Sequence, residues 1–311
     1  KIKPDKEGII RLGSFRFKDK TDKWPLLLEG LTQKQYLILT NKYYSLSDNG
    51  RILGKKIQTK WVSEIYDDLL LRCVKSEAYG QFCDKVFGKN LCQYNAMDMK
   101  QLDKMLECLN LNEAKLVLDL GCGIGKVAEY ISNKTGAKII GVDFSTKAIE
   151  WAQNNIQTKN KKLSFQVGNI NELTFEPKTF DVIICIDTLY TVDDIDMVIR
   201  KLKEILKSKG QLGIFLAQYR EPSESEEILR PENTKIGKSL HSNGLSFRSF
   251  DFTENAKQIW IREHAVVEEL KEEFEKEDNL ILYNDRKEDS GKVLNWIENN
   301  QQKRYLYYAK K

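Results

Sequence analysis

A glycine-rich turn in the middle of the chain carries the residues best suited to chemistry. Residues 116–118 are Leu-Val-Leu, Asp119 follows them, and glycines stand at positions 121, 123 and 125. From Lys126 onward the apolar residues take up helical spacing. A strand that leads through such a turn into a helix N-terminus brings a cofactor close to bare backbone in doubly wound α/β folds. The pattern therefore predicts a cofactor site, and the alternative is a strand, turn and helix with no ligand.

Two nucleotide-binding motifs do not fit this turn. The dinucleotide motif G-x-G-x-x-G/A needs a small residue where the chain has Lys126. The phosphate loop G-x-x-x-x-G-K-[ST] needs glycine and a hydroxyl where the chain has Leu120 and Val127. The remaining pattern, D-x-G-x-G-x-G, resembles the first motif of class I S-adenosylmethionine (SAM) dependent methyltransferases. An acid suits SAM, because SAM carries an ammonium and a sulfonium and no phosphate.

A second acid, Asp143, ends the next predicted strand and stands 20 positions after Gly123. A carboxylate there can accept hydrogen bonds from both ribose hydroxyls, and it matches the second motif of the family. In the resemblance, Phe144 lies against the adenine, and Asn169 replaces the usual Asp that accepts from the adenine amino group. The cofactor contacts that the resemblance implies come from Asp119, Gly121, Cys122, Gly123, Asp143, Phe144, Asn169, Ile170, Ile186 and Gln93.

The segment after the fourth predicted strand resembles the fourth motif of the family, except that Thr191 replaces its histidine. We therefore expect methyl transfer to depend on orientation rather than on a general base. The predicted catalytic residues are Tyr190 and Asp187, together with Tyr94 as an aromatic lid. Helix capping or a cofactor-side role is the alternative for Asp187, and simple packing is the alternative for Tyr94. Further acceptor-side candidates, each explained more readily as structural, are Gln218, Tyr219, Arg220, Trp260, Arg262, His264, Tyr283 and Arg286.

Strand and helix patterns alternate regularly from Leu116, which predicts a doubly wound, Rossmann-like and mostly parallel sheet. The predicted parallel strands are 116–120, 138–142, 163–167, 181–186 and 211–217. The resemblance adds an antiparallel hairpin from 245–252 and 304–309, for seven strands in all. A cap insertion should occupy about 253–303, with a strand-like stretch at 280–283. We expect an N-terminal extension over 1–90 and a methyltransferase domain over 91–311.

The N-terminal extension has its own pattern. The segment 43–54 is similar to the wing-to-helix part of winged-helix domains, and an ordinary helical cap is the alternative. Residues 1–60 hold 14 Lys or Arg residues against six Asp or Glu residues, although the whole chain carries only +4. This excess makes nucleic acid an alternative partner, and a solvated basic face is the plainer interpretation.

Composition and cysteine spacing exclude several classes of protein. Apolar residues make up 41% and charged residues 31% of the chain, and no apolar run approaches the length of a membrane span. The six cysteines form no C-x-x-C pair and no metal spacing, so we expect free thiols in a reducing cytoplasm. The sequence predicts a cytoplasmic monomer or homodimer that methylates a small molecule and releases S-adenosylhomocysteine. The alternatives are an RNA methyltransferase and a SAM-sensing regulator that binds DNA.

Overall fold

The computed structural model describes residues 32–34, 37–40, 43–49, 65–192 and 194–311, with backbone alone at 37–40, 43–46 and 191. The chain divides into two compact units, Lys1–Tyr66 and Asp67–Lys311. In the first unit, strand β1 (Leu37–Thr40) pairs with β2 (Tyr43–Leu46) in antiparallel register. The winged-helix-like segment 43–54 and the basic stretch 1–60 lie largely outside the described residues.

Two helices, α1 (65–75) and α2 (Glu77–Phe87), precede the sheet. Ser76 separates them, because its side chain caps α2 by accepting from the backbone N–H of Tyr79 at 2.9 Å. The second compact unit begins at Asp67, so α2 belongs to the same unit as the sheet. This boundary differs from the one expected between residues 90 and 91. Helix α3 (Met99–Leu109) follows, with Asp98 as its N-cap.

The second unit is built on a seven-stranded sheet of β3 (Leu116–Leu120), β4 (Lys138–Asp143), β5 (Leu163–Val167), β6 (Phe180–Ile186), β7 (Leu206–Tyr219), β8 (Ser246–Asp251) and β9 (Gln302–Lys310). The strand order is β5-β4-β3-β6-β7-β9-β8, and β9 runs antiparallel to the other six strands. The predicted fold class is confirmed. Sequence order reverses beside β3, so the carboxyl ends of β3, β4 and β6 form the edge where such sheets bind ligands.

Helices cover both faces of this sheet. Val182 and Ile184 of β6 join one buried apolar cluster, and Ile183 and Cys185 join the other. Because successive side chains of a strand point to opposite faces, a strand covered on both sides reads as one continuous apolar run. The helices are α4 (Lys126–Thr135), α5 (Thr146–Ala152, continued by a π turn to Gln157), α6 (Ile195–Ile205) and α7 (Lys235–Ser242).

A helical cap lies between β8 and β9 and consists of α8 (Thr253–Glu269), α9 (Lys271–Lys276) and α10 (Leu280–Glu298). The expectation of a strand at 280–283 was wrong, since these residues form the first turn of α10. The buried residues of α10 recur at helical spacing through Leu282, Arg286 and Ser290. A four-residue apolar run cannot by itself distinguish a strand from a helix. Among the described residues, no helix is long and apolar enough to cross a membrane.

Candidate active site

The glycine-rich turn after β3 folds back against two neighbouring segments. Gly121, Gly123 and Gly125 have φ angles of 83°, 52° and 78°, which disfavour any residue with a side chain. A Cβ on Gly121 would lie 2.1 Å from Oγ1 of Thr188, in the loop after β6. The N–H groups of Gly121 and Cys122 both donate to the carbonyl of Val142, at 2.8 and 3.1 Å. The turn is therefore fixed to the ends of both β4 and β6.

The N–H groups of two of these glycines bond within the chain. Gly121 donates to Val142, and Gly123 donates to Oδ2 of Asp143 at 2.8 Å. These donors shape the turn and orient Asp143. Contact between a ligand and the remaining backbone groups of Gly121 and Gly123, beside the carboxyl of Asp119, stays a prediction.

Asp119 occupies the buried end of β3. Its side chain is 3% exposed, and its Oδ2 has no hydrogen-bond partner among the described residues. Burial, assisted by the nearby charge of Asp143, raises the pKa of Asp119 to about 7. An unpaired buried carboxylate oxygen is costly and is rare in folded proteins. A cation bound beside Asp119 would remove this cost.

Asp143 ends β4 and is held in place from two sides. Its Oδ2 accepts from Gly123, and its Oδ1 accepts from the backbone N–H of Ser145 at 2.9 Å. Burial raises the pKa of Asp143, while these two backbone donors oppose the rise. The hydroxyl of Ser145 in turn hydrogen-bonds the carboxyl of Asp67 in α1. Each carboxylate oxygen has capacity for one more hydrogen bond, as contact with a pair of hydroxyls requires.

The other predicted cofactor residues fall into two groups. Phe144, which is 43% exposed, directly follows Asp143, and Ile186 is buried at the end of β6. Cys122 is buried in the turn, and burial raises the pKa of its thiol well above the usual value. These three lie at the carboxyl edge of the sheet.

Local hydrogen bonds occupy the remaining two polar candidates. Asn169 uses its side-chain oxygen to cap the 3₁₀ turn that begins at Ile170, accepting from Asn171 N–H at 3.0 Å. Gln93 is buried, and its amide bonds the N–H of Leu91 and the carbonyl of Lys89. These contacts favour a structural role for both amides, because each side chain closes its own turn.

Tyr94 is clamped by the cap. Its hydroxyl donates to Oδ2 of Asp285 at 2.6 Å, and the guanidinium of Arg286 lies 4.4 Å from the centre of its ring. The side chains of Glu263, Asp285 and Asp289 form ion pairs with Arg286 in turn. Tyr94 therefore belongs to a charged network that connects the segment before α3 with α10.

Asp187 follows β6 with a φ of 51° and forms an ion pair that the sequence did not reveal. Nη1 and Nη2 of Arg304 donate to its two carboxylate oxygens at 2.7 and 2.8 Å. The backbone N–H of Ala96 also points at Oδ2, 3.3 Å away. This arrangement favours a structural role for Asp187 over a catalytic one. Tyr190, three residues later, is 71% exposed.

The charged acceptor-side candidates are engaged within the chain. Arg220 donates to the carbonyls of Asn300 and Glu224, and Arg262 donates to the carbonyl of Val86. Arg286 forms the ion pairs of the Tyr94 network. Arg220 and Arg286 therefore present no uncommitted guanidinium to an acceptor, whereas the exposed Arg262 donates from Nε alone and its Nη2 lies 3.9 Å from Asp98.

The remaining candidates pack around the cap. The ring of Tyr219 lies 5.1 Å from that of Trp296 in α10, and Trp260 is buried beside Ala96. Nδ1 of His264 lies 3.1 Å from the hydroxyl of Ser290. The hydroxyl of Tyr283 donates to Glu268, and the buried Nε2 of Gln218 has no partner in the described part of the chain. Of these candidates, Gln218 and Tyr219 lie at the end of β7.

Sequence reasoning missed Arg304 and its partner Gln101, whose Oε1 accepts from Nε of Arg304 at 2.8 Å. No motif singles out Arg304, which is one of three basic residues of β9 beside Lys303 and Lys310. Within the described residues, no cluster of His, Cys, Asp and Glu could hold a metal ion, and all six cysteines are free.

Comparison with known proteins supports the family resemblance. Residues 117–210 match the model of a methyltransferase domain family. Norajmaline N-methyltransferase of Rauvolfia serpentina is 26% identical over 46% of this chain and 52% of its own length. A phosphoethanolamine N-methyltransferase of Triticum aestivum is 25% identical over 65% of this chain and 42% of its own. The chain thus spans about half the length, or less, of these curated relatives.

Solved structures share the fold. Phosphoethanolamine N-methyltransferase 2 of Haemonchus contortus, crystallised with phosphomonomethylethanolamine and S-adenosylhomocysteine, superposes with a TM-score of 0.65 at 21% identity, over 79% of this chain and 60% of that one. The [4+2]-cyclase SpnF superposes with a TM-score of 0.59 at 16% identity, over 80% and 95% of the two chains. A cyclase on the same fold shows that architecture alone does not name the reaction.

Proposed function

We propose, because residues 117–210 match a methyltransferase domain family, that this protein is a class I SAM-dependent enzyme that transfers a methyl group from SAM to a small-molecule acceptor. The observation that carries the proposal is the pair of buried carboxyl groups, Asp119 and Asp143, at the tips of adjacent strands. The pair matches a ligand with a cation at one end and a sugar diol at the other. A phosphate group would meet two acids there and would be repelled.

Each acid has a separate task in this proposal. Asp119 holds the ammonium of SAM, since a neighbouring cation stabilises the charged form of a carboxyl whose pKa burial raises. Asp143 accepts from the ribose hydroxyls, because Gly123 and Ser145 orient its two oxygens and leave lone pairs on both. Phe144 supplies an apolar surface beside Asp143 for the base.

Orientation accounts for catalysis in this proposal. SAM, when bound, supplies the methyl group on a sulfonium, for in-line displacement by the acceptor. The residues of the chain align and shield the acceptor, and alignment of this kind is worth on the order of 7–11 kcal/mol. The ring of Tyr190, and the face of Tyr94 that Arg286 does not cover, add about 0.5–2 kcal/mol where they face positive charge. The two histidines are remote from this role, since His241 lies in α7 and His264 contacts Ser290.

The acceptor is proposed to be neutral or cationic rather than a phosphate ester. The guanidinium groups of Arg220 and Arg286 are committed to partners inside the chain, and Arg262 donates from Nε to the carbonyl of Val86. Capturing a phosphate with Arg220 or Arg286 would therefore require breaking ion pairs or hydrogen bonds that are already made. Two relatives named above act on phosphoethanolamine according to their names. This proposal therefore gives the chain a different class of acceptor from theirs. Ethanolamine and phosphoethanolamine, offered in parallel, are the matched probes for this distinction.

Labelled SAM tests the function directly. The protein is incubated with methyl-labelled SAM and a fractionated cell extract, and Asp143→Asn is the control for label that does not depend on cofactor binding. We expect the label to enter the small-molecule pool with the wild type only. Label in RNA would support the RNA methyltransferase instead. Absence of label combined with salt-dependent binding of duplex DNA would support the SAM-sensing regulator.

A further inference from the structure

Arg304 lies at the centre of a buried polar network. No sequence motif indicates this network. Arg304 faces Asp187 with both terminal nitrogens at 2.7 and 2.8 Å, and it donates from Nε to Gln101 at 2.8 Å. Arg304, Asp187 and Gln101 are all largely shielded from solvent, with Gln101 fully buried. A bidentate pair between guanidinium and carboxylate fixes orientation as well as distance.

The network extends from Arg304 to the segment before α3. Gln101 donates from Nε2 to the carbonyl of Ala96 at 3.0 Å and to the side-chain oxygen of Asn255 at 2.8 Å. Asp187 is approached by the N–H of Ala96. The N–H of Ala96 is therefore held by Asp187 and its carbonyl by Gln101, the two side chains that Arg304 contacts.

This arrangement connects two segments that are remote in sequence. Ala96 stands two residues after Tyr94, and Asp187 stands three residues before Tyr190. Asp187 also holds a left-handed backbone conformation, which a non-glycine residue keeps only when its surroundings fix it. Arg304 is the common partner through which the last strand of the sheet fixes both segments.

We propose that Arg304 is a positioning residue that sets the separation and orientation of the segments carrying Tyr94 and Tyr190, and so shapes the acceptor side of the site. This inference rests on the proposed function. Arg304 acts through Asp187 and Gln101, and it has no direct contact with reacting atoms. On the cofactor side, Asp143 bonds the backbone of Gly123 and Ser145 and does not belong to this network.

A purely structural role, neutralising the buried charge of Asp187, must be separated from positioning. Arg304→Lys keeps the positive charge and removes the planar fork, so it should spare stability and disturb orientation. Arg304→Met strands a buried carboxylate and should lower stability. The double variant Arg304→Met with Asp187→Asn removes that stranded charge but does not restore the fork.

Hydrogen exchange provides a readout that needs no methyl acceptor. In Arg304→Lys and in the double variant, we expect amide exchange over residues 94–98 and 187–190 to rise about tenfold or more, because the local opening free energy falls. Urea unfolding of the double variant should return toward the wild-type midpoint, away from that of Arg304→Met. Lys207→Met is the matched control, because Lys207 pairs with Asp181 at 2.8 Å at the opposite end of β6.

Kinetics complete the test, with the active small-molecule fraction of the labelled extract as the probe. For Arg304→Lys we expect the amount of that fraction needed for half-maximal labelling to rise about fivefold or more, with SAM affinity unchanged. Wild-type exchange at both segments in Arg304→Lys would overturn the proposal. Recovery of slow exchange in the double variant would also overturn it, by showing that charge neutralisation suffices. If no extract fraction is ever labelled, the proposed function fails and the exchange result still decides the role of Arg304.

Discussion

Two acids at neighbouring strand ends are in different electrostatic situations. Asp143 receives two backbone N–H groups, whereas Oδ2 of Asp119 receives no hydrogen bond from the described residues. Asp119 therefore has its pKa raised to about 7, principally by burial. A carboxyl that titrates near neutrality in the free protein couples cofactor binding to pH.

We predict that SAM affinity falls as the pH is lowered through about 7. An ammonium binds better to the carboxylate than to the protonated acid, so affinity should drop by up to about tenfold per pH unit below the pKa of Asp119 and level off above it. Calorimetric titration between pH 6 and 8 measures the effect. Asp119→Asn is the control, since it retains any titration of SAM itself. The same pH dependence in both proteins would contradict the prediction.

Sequence reasoning correctly placed the residues that stand at the end of a strand. Asp119 and Asp143 close apolar runs at a set spacing, so their convergence could be predicted. The local side-chain bonds of Gln93 and Asn169 were overlooked, although both span only a few residues and are a common habit of polar side chains in turns. The pair of Asp187 and Arg304 was beyond prediction, because 117 positions separate its members and no motif connects them.

At the scale of elements, the parallel strands were predictable because burial on both faces gives unbroken apolar runs. The secondary structure of the cap was harder to predict. Its strand-like stretch at 280–283 is helical, since tertiary packing of Leu282 and Tyr283 against the rest of the unit decided between two periodicities. Similarly, the spacing of apolar residues alone does not show that α1 and α2 are separate helices. The hydroxyl of Ser76 separates them, because it caps the N-terminus of α2.

The turn after β3 provides a prediction at this scale. Gly121→Ala should both destabilise the fold and weaken SAM binding by more than about tenfold, because Ala pays about 1–2 kcal/mol for a left-handed backbone and its Cβ would overlap Thr188. Gly136→Ala is the matched control. Gly136 has a similar φ of 77°, but a Cβ added there would lie 3.2 Å from Cβ of Glu113, so Gly136→Ala should lose stability and keep SAM affinity. Thermal unfolding and calorimetry distinguish the two, and equal SAM affinities would refute the assignment of the turn.

For the whole molecule, the boundary of the compact unit is at Asp67, well before the start expected from the motifs. Helix α2 explains the difference. Its Tyr79 and Phe82 are fully buried, the Tyr79 hydroxyl donates to the carbonyl of Gln93, and Arg262 of the cap donates to Val86. The segment lacks any cofactor motif, so only its packing reveals that it belongs with the sheet.

Two fragments test this boundary. We expect the fragment 67–311 to unfold cooperatively, and the fragment 91–311 to be much less stable or unfolded. Each large apolar side chain of α2 stabilises the unit by about 1.5–3 kcal/mol on burial, and the shorter fragment loses all of them. Circular dichroism during heating measures the difference. Equal unfolding temperatures would restore the boundary at residue 91.

The central claim is that SAM lies across the tips of β3 and β4 with its ribose on Asp143. Calorimetric titration of SAM into the wild type and Asp143→Asn, with thermal unfolding to verify the fold, tests it most directly. Loss of the charge-assisted hydrogen bonds should cost about 3 kcal/mol, an affinity loss on the order of 100-fold. Wild-type affinity in a folded Asp143→Asn protein would contradict the account.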